Sequence, residues 1–305
     1  MNGPRRTLAD VIRDRRIVVA PGAYDVLSAL LIEQAGFDCI YLTGNGQAAS
    51  ALGLPDLGLI TFSEMAERTR QTAMRTTLPL IVDADDGYGS LLSLQRAVQE
   101  FELAGAGAIQ IEDQASPKKC GHELGREIVP VDEMVLRLRA AGAARRSSET
   151  LLIARTDART TEGLDEAIRR GQAYAAAGAD VIFVESPESR AELAEIARAI
   201  RTPKLANMVE TGRTPYLSWR DLAELGFQLV IYPVTTVLAA SGAVRRVVTE
   251  IAELGRGDEK SPASLTLAEY HDVLSFHRFQ QAESDYRSMA VAPSGTPARD
   301  RREAE

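Results

Sequence analysis

Six short stretches of this 305-residue chain place polar groups directly after runs of apolar residues. Thr43, Gly44 and Asn45 follow one such run, and Asp83, Asp85 and Asp86 a second. Glu112 and Asp113 follow a third, Arg155 and Asp157 a fourth, Glu185 a fifth and Asn207 a sixth. Brought together, so many carboxylates are costly unless a cation neutralises them. With only three His in the chain, oxygen donors dominate, which suits Mg²⁺, with Mn²⁺ as the alternative, over Zn²⁺. Asp83 and Asp85 would share one side of an extended strand, and Gly87 and Gly89 allow a tight loop beyond them. That pair is assigned to the metal. Any one of these acids alone reads equally well as a helix cap; the repetition argues for a site.

A second kind of chemistry stands in Ser116-Pro117-Lys118-Lys119-Cys120-Gly121-His122. A thiol beside two Lys and a His has its thiolate favoured by positive charge, so the segment reads as a lid carrying an acid/base group. Cys39 reads as a small buried hydrophobe. His122 is equally well a ligand, a base or a loop hydrogen-bonder, and His271 and His277 read as structural. Asp56, in Gly53-Leu54-Pro55-Asp56, reads on its own as a turn residue.

These residues need a frame that gathers them. Eight short apolar runs alternate with helix-length amphipathic segments, as in βα units. The expected strands are Ile17–Ala20, Cys39–Leu42, Leu80–Asp83, Ala108–Ile111, Leu151–Arg155, Val181–Val184, Lys204–Asn207 and Leu229–Ile231. The helix candidates include Tyr24–Gln34, Ser63–Arg75, Leu94–Leu103, Asp132–Ala144, Leu164–Ala176, Ala191–Ile200 and Asp221–Glu224. Gly36, Gly105, Gly178 and Gly226 fall where a helix hands over to a strand, a place for a left-handed helix end. Eight units favour a closed (β/α)₈ TIM barrel, whose strand ends converge on one functional face. An apolar helix follows Thr235, and a further helical stretch, Leu265–Gln281, follows a break at Gly255–Ser264. The expectation is one domain over 1–290, with 291–305 a disordered tail.

The hydrophobic fraction of 45% supports one large core, and the net charge of −8 gives no basic footprint for nucleic acid. No run reaches the roughly 20 apolar residues of a membrane span, and Met1–Arg16 is too polar for a signal peptide. With two Cys, a disulfide framework is not expected, and the chain reads as cytoplasmic.

The Lys118–His122 segment resembles the signature of the isocitrate lyases and their relatives. Gly53-Leu54-Pro55-Asp56, Asp83-Ala84-Asp85, Ile111-Glu112-Asp113-Gln114, Ala154-Arg155-Thr156-Asp157-Ala158 and Leu205-Ala206-Asn207 look like the remaining blocks, in the usual order. The resemblance, to the isocitrate lyase/phosphoenolpyruvate mutase superfamily, covers about residues 8 to 255. It implies a barrel whose last helix is exchanged between subunits, usually in a dimer of dimers. It implies Mg²⁺ near Asp85, with Asp83 and Glu112 acting partly through water. By the same resemblance Thr43, Gly44, Asn45 and Gly121 line a carboxylate pocket, and Arg155, Glu185 and Asn207 contact substrate. Asp56 then sits on a gating loop, Lys118 and His122 belong to the lid, and Cys120 supplies a proton.

The implied reaction is cleavage of the C2–C3 bond of a small 2-hydroxy-dicarboxylate into a 2-oxo acid and a carboxylate. Methylisocitrate lyases carry an Arg in the segment after the eighth strand for a third carboxylate; here Leu238 aligns with it. An unpaired buried carboxylate would cost several kcal/mol, so an alkylmalate of the 2,3-dimethylmalate type is preferred to a 2-methylisocitrate-like substrate. The alternatives are an oxaloacetate hydrolase or decarboxylase, and a phosphonomutase, against which Cys120 argues.

Overall fold

The computed structural model describes residues 6–119, 121, 125–257 and 264–291. Eight strands run in chain order: β1 (Val18–Ala23), β2 (Ile40–Leu42), β3 (Leu80–Asp83), β4 (Ala108–Glu112), β5 (Leu151–Thr156), β6 (Val181–Val184), β7 (Lys204–Asn207) and β8 (Leu229–Tyr232). All neighbours are parallel and β8 pairs with β1, so the sheet closes into a barrel. The helices among the described residues are α1 (Leu8–Asp14), α2 (Val26–Gln34), α3 (Gly44–Leu52), α4 (Phe62–Ala73), α5 (Leu91–Ala104), α6 (Val131–Ala144), α7 (Ala158–Thr161), α8 (Leu164–Ala176), α9 (Arg190–Ala199), α10 (Trp219–Leu225), α11 (Thr235–Leu254), α12 (Leu267–Val273) and α13 (Phe276–Val291). The architecture is the expected (β/α)₈ barrel with added C-terminal helices.

Alternation along the strands builds two apolar layers. Val18, Ala20, Ile81, Ile153, Phe183, Leu205 and Ile231 pack with one another, and Leu8 and Val11 of α1 join them. Their neighbours Leu42, Val82, Ile109, Leu152, Ile182 and Val230 face the helices instead, against Met65, Phe101, Leu138 and Ile196. Helix ends follow the sequence cues: Gly105 and Gly226 cap α5 and α10 in the left-handed conformation.

Three departures from the sequence reading have physical causes. Strand β1 runs through Pro21-Gly22, which read as its end. The closed barrel supplies partners on both sides, pairing Pro21 with Tyr232 and Gly22 with Tyr41. A side chain on Gly22 would stand 2.1 Å from the Pro233 carbonyl oxygen, so the close approach of backbones requires glycine. Helix α3 starts at the first polar cluster, capped by the Thr43 hydroxyl accepting from the Gly46 N–H. The stretch expected as one helix from Leu265 is two, α12 and α13, broken at Ser275 with φ 58°.

The chain divides at Asp258 into two compact units, the first holding the barrel and α11, the second α12 and α13. The C-terminal extension is thus a unit of its own within the span expected as one domain. In the first unit, α11 has no buried residue, and Val244, Val248, Ile251 and Leu254 are exposed.

Candidate active site

The strand ends deliver the polar residues to one place. Thr43, Asn45, Asp56, Asp83, Gly121, Arg155, Glu185 and Asn207 line a cavity of ≈ 250 Å³, with Tyr41 and Phe183 at its floor and Val209, Ile231, Pro233, Val234 and Leu238 along one wall. A larger cavity of ≈ 630 Å³, lined by residues such as Leu31, Phe37, Trp219, Tyr232 and Ala239, contains no charged side chain. It offers no acid, base or ion-binding group, so the chemistry belongs to the smaller one.

The remaining predicted residues adjoin the cavity through bonded contacts. Gly44 donates its N–H to Asp83 Oδ2 at 3.3 Å, and a Cβ there would lie 2.9 Å from that oxygen. Asp85 takes the left-handed conformation, φ 48°, and its N–H faces Asp83 Oδ1 at 3.4 Å. For a non-glycine residue that backbone is sparsely populated, and it holds the two carboxylates together. Lys118 pairs with both Asp56 and Asp85, the latter at 2.7 Å. Arg155 reaches Glu112 Oε2 at 3.1 Å, Asp157 Oδ1 at 2.9 Å and Glu185 Oε2 at 3.8 Å, with its guanidinium 5.4 Å from the Phe183 ring centre. Asn207 donates to Glu185 Oε2 at 3.1 Å. Gly121 offers its carbonyl to the Ser186 hydroxyl at 3.2 Å, and a Cβ on it would collide with Arg155 and Glu185. Cys120 and His122 lie outside the described residues.

Two acids read as part of the cluster serve elsewhere. Asp86 accepts the Tyr88 N–H at 3.0 Å and shapes the turn after β3. Asp113, fully buried, accepts from the Thr156 and Tyr174 hydroxyls at 2.7 and 2.8 Å and from the Asp157 N–H at 2.9 Å. It braces β4 against β5. Sequence reasoning missed Tyr41 and Gln110, whose side chains join at 3.3 Å, with Gln110 in turn donating to Asp83 Oδ1 at 3.2 Å. Their inward parity on β2 and β4 is the signal that could have found them. It also missed Ser186, whose only cue was its place beside Glu185.

Burial and like charge tune the carboxyls. Burial pushes Asp85 up to about 7 against the pull of Lys118, and Asp83 and Asp56 push the same way. Burial also raises Glu112 well above the usual range, opposed by Arg155. Burial works against the Lys118 charge, but Asp85, Asp56 and Glu112 together hold the ammonium well above its ordinary value. Lys118 and Asp85 thus form a close ion pair, with the ammonium 2.7 Å from an acid crowded by other acids.

The donor set fits a hard cation. Glu112 Oε1 is buried without a hydrogen-bond partner, Asp83 and Asp85 stand nearby, and every donor is an oxygen. Among the described residues no three acidic, imidazole or thiol groups close into a cage. Mg²⁺ needs none, since it keeps several waters and takes one or two carboxylates plus substrate oxygens.

A family model described as phosphoenolpyruvate phosphomutase matches residues 8–252. The chain belongs to that family. Within the phosphoenolpyruvate mutase/isocitrate lyase superfamily it is 42% identical over 279 residues to 2,3-dimethylmalate lyase of Eubacterium barkeri, covering 92% of this chain and 96% of that one. It is 44% identical over 287 residues to 2-methylisocitrate lyase of Aeropyrum pernix, covering 94% and 92%. A solved oxaloacetate acetylhydrolase bound to 3,3-difluorooxalacetate superposes with a TM-score of 0.88 at 31% identity, covering 93% and 97%. These relatives make this member of the phosphoenolpyruvate mutase family a carbon–carbon lyase, and the family is metal-dependent.

The raised carboxyl of Asp85 has a measurable consequence. Between its ordinary 3.8 and about 7 the folded protein keeps a proton that the unfolded chain has released, so this group's contribution to stability declines as pH rises through that window. A cation binding at Asp85 must displace the proton. Mg²⁺ affinity, followed by titration calorimetry, is expected to climb with pH through about 7; an affinity flat from pH 5 to 8 would contradict a cation held at Asp85.

Proposed function

We propose that this lyase cleaves the C2–C3 bond of a small 2-hydroxy-dicarboxylate, an alkylmalate such as 2,3-dimethylmalate, with Mg²⁺ as its metal. The observation that carries the reading is the two-sided cavity. Among the described residues that line it, Arg155 is the one cationic side chain, while Val209, Ile231, Val234 and Leu238 form an apolar wall. Two carboxylates can be served by Arg155, the Thr43 and Asn45 side chains at the start of α3 and the metal; a third would face Leu238 without a cation. Alkyl substituents suit that wall.

The residues divide the work. Asp85, Asp83 and Glu112 would hold the ion, which when bound acts as a Lewis acid on the substrate's 2-oxygen and carboxylate. Thr43, Gly44 and Asn45 offer the end of α3 to a carboxylate, and Arg155, steadied by Glu112, Asp157 and Glu185, offsets the negative charge that develops on the departing fragment. In the cleavage a base takes the 2-hydroxyl proton, the C–O bond becomes C=O, and the C2–C3 electron pair passes to C3. Cys120 then gives its proton to that carbon, and the positive charge of Lys118 and His122, its neighbours in the sequence, favours the thiolate left behind. Asp56, through Lys118, ties the loop after α3 to the segment carrying Cys120. A free thiol in this role belongs in a reducing compartment, and we place the protein in the cytoplasm.

The same reading includes a homo-oligomer, a dimer of dimers, with α11 exchanged. Its support is the unburied apolar face of α11 and the apolar groove of ≈ 630 Å³ on the outside of the barrel.

Assays for 2-oxo acid release with Mg²⁺ should show turnover of 2,3-dimethylmalate over 2-methylisocitrate and isocitrate. Leu238→Arg should raise kcat/KM for 2-methylisocitrate by about tenfold or more, from the roughly 1.5–3 kcal/mol of a charge-assisted hydrogen bond. Efficient cleavage of 2-methylisocitrate by the unmodified protein refutes the apolar-wall argument, and products of oxaloacetate hydrolysis alone favour the acetylhydrolase reading suggested by the structural neighbour. Cys120→Ser is expected to abolish cleavage while Mg²⁺-dependent ligand binding persists; near-normal cleavage would remove Cys120 as the proton donor. Sedimentation velocity should give a dimer or larger, and Val248→Arg with Ile251→Arg should shift it to monomer; a monomeric unmodified protein rules the exchange out.

A further inference from the structure

A second arginine reaches the site from behind. Arg126 stands in the limb that returns from the β4–α6 connection, and 1% of its side chain is exposed. Its guanidinium bonds Asp157 Oδ1 through Nη1 and the Thr160 hydroxyl through Nη2. The same Asp157 accepts from Arg155, Nη2 to Oδ1 at 2.9 Å and Nε to Oδ2 at 3.1 Å. One fully buried carboxylate is therefore clamped between two guanidinium groups, one lining the cavity and one rooted in the connection that carries Lys118 and Gly121. Asp157 is itself fixed, since its N–H donates to Asp113 Oδ1 at 2.9 Å.

The two limbs of that connection are also joined to each other. The Ala115 N–H donates to the Glu127 carbonyl at 2.8 Å, and Lys119 Nζ donates to the Gly125 carbonyl at 2.8 Å. The Gln114 side chain pairs in both directions with the Lys119 backbone at 2.9 Å. The residues on either side of Arg126, Gly125 and Glu127, are thus bonded to Lys119 and Ala115, which flank Lys118.

We propose that Arg126 is a positioning residue: by sharing Asp157 with Arg155 it sets the aim of the Arg155 guanidinium and fastens the β4–α6 connection to the same carboxylate. Without Arg126 the whole charge of Asp157 acts on Arg155 and draws it from Glu112 and Glu185, which it meets at 3.1 and 3.8 Å. Misplacement of a substrate-facing group by about 1 Å can cost on the order of 10²-fold in rate.

A double-mutant cycle tests this, and it rests on the dicarboxylate reading only for its substrate. With 2,3-dimethylmalate, Arg126→Gln should lower kcat/KM roughly 10- to 100-fold, Arg126→Lys less, and Arg155→Lys more than either. In the Arg155→Lys background, adding Arg126→Gln should cost less than about twofold, because residues acting through one another are not additive. Oxalate, a planar dianion, titrated calorimetrically in Mg²⁺ should show the same non-additive pattern in affinity. If the unmodified protein turns over no alkylmalate, the substrate reading fails and the oxalate cycle alone decides. Losses that multiply, or Arg126→Gln within about twofold of the unmodified protein in both measurements, overturn the proposal. A lowered Tm accompanied by an additive cycle marks Arg126 as a structural brace and overturns it equally.

Discussion

Negative charge buried at the ends of neighbouring strands is the constraint around which the rest of this protein is arranged. Asp83, Asp85, Glu112, Asp157 and Glu185 are all nearly or fully removed from water, where like charges repel far more strongly than at a surface. Three cationic side chains answer them from inside the same volume. Lys118 bridges Asp56 and Asp85, Arg155 takes Glu112, Asp157 and Glu185, and Arg126 takes Asp157. The carboxyls left short of a partner, Asp85 with its raised proton affinity and Glu112 with its unpartnered Oε1, are those a divalent ion would satisfy.

A parallel barrel is well suited to impose this. Each strand contributes its last residues to one rim, so acids far apart in sequence become neighbours without any loop having to fold back. Adjacent parallel strands then let one residue brace another: Asp113 at the end of β4 holds the backbone and hydroxyl that follow Arg155 on β5. Helix α8 secures that brace from outside through Tyr174 and Arg170, the latter 3.2 Å from Asp113. Rigid aim at the rim is thus provided by a layer behind the residues that line the cavity.

Opposite the charged side, the cavity is walled by β8 and the start of α11. Leu238 belongs to the first turns of α11, and Thr236 donates to the Gly22 carbonyl on β1, so this helix begins at the site before it carries its exposed apolar face outward. The element that shapes the apolar wall therefore also carries an exposed apolar face.

Much of this was legible in the residue order. The eight strands appear within a few residues of where β-branched runs placed them, and α8 occupies the span its period indicated, because local periodicity reports directly which side of an element is buried. The acids at strand ends, the lysine near the thiol and the apolar Leu238 were likewise visible as residue types. What the sequence could not decide was partnership. Asp83 and Asp113 read alike as strand-end acids, yet one lines the cavity and the other braces two strands. Arg126 carried no local signal, and Pro21-Gly22 read as a stop although neighbours on both sides extend the strand through it. Those outcomes depend on atoms contributed by other strands, a relation fixed only when the barrel closes.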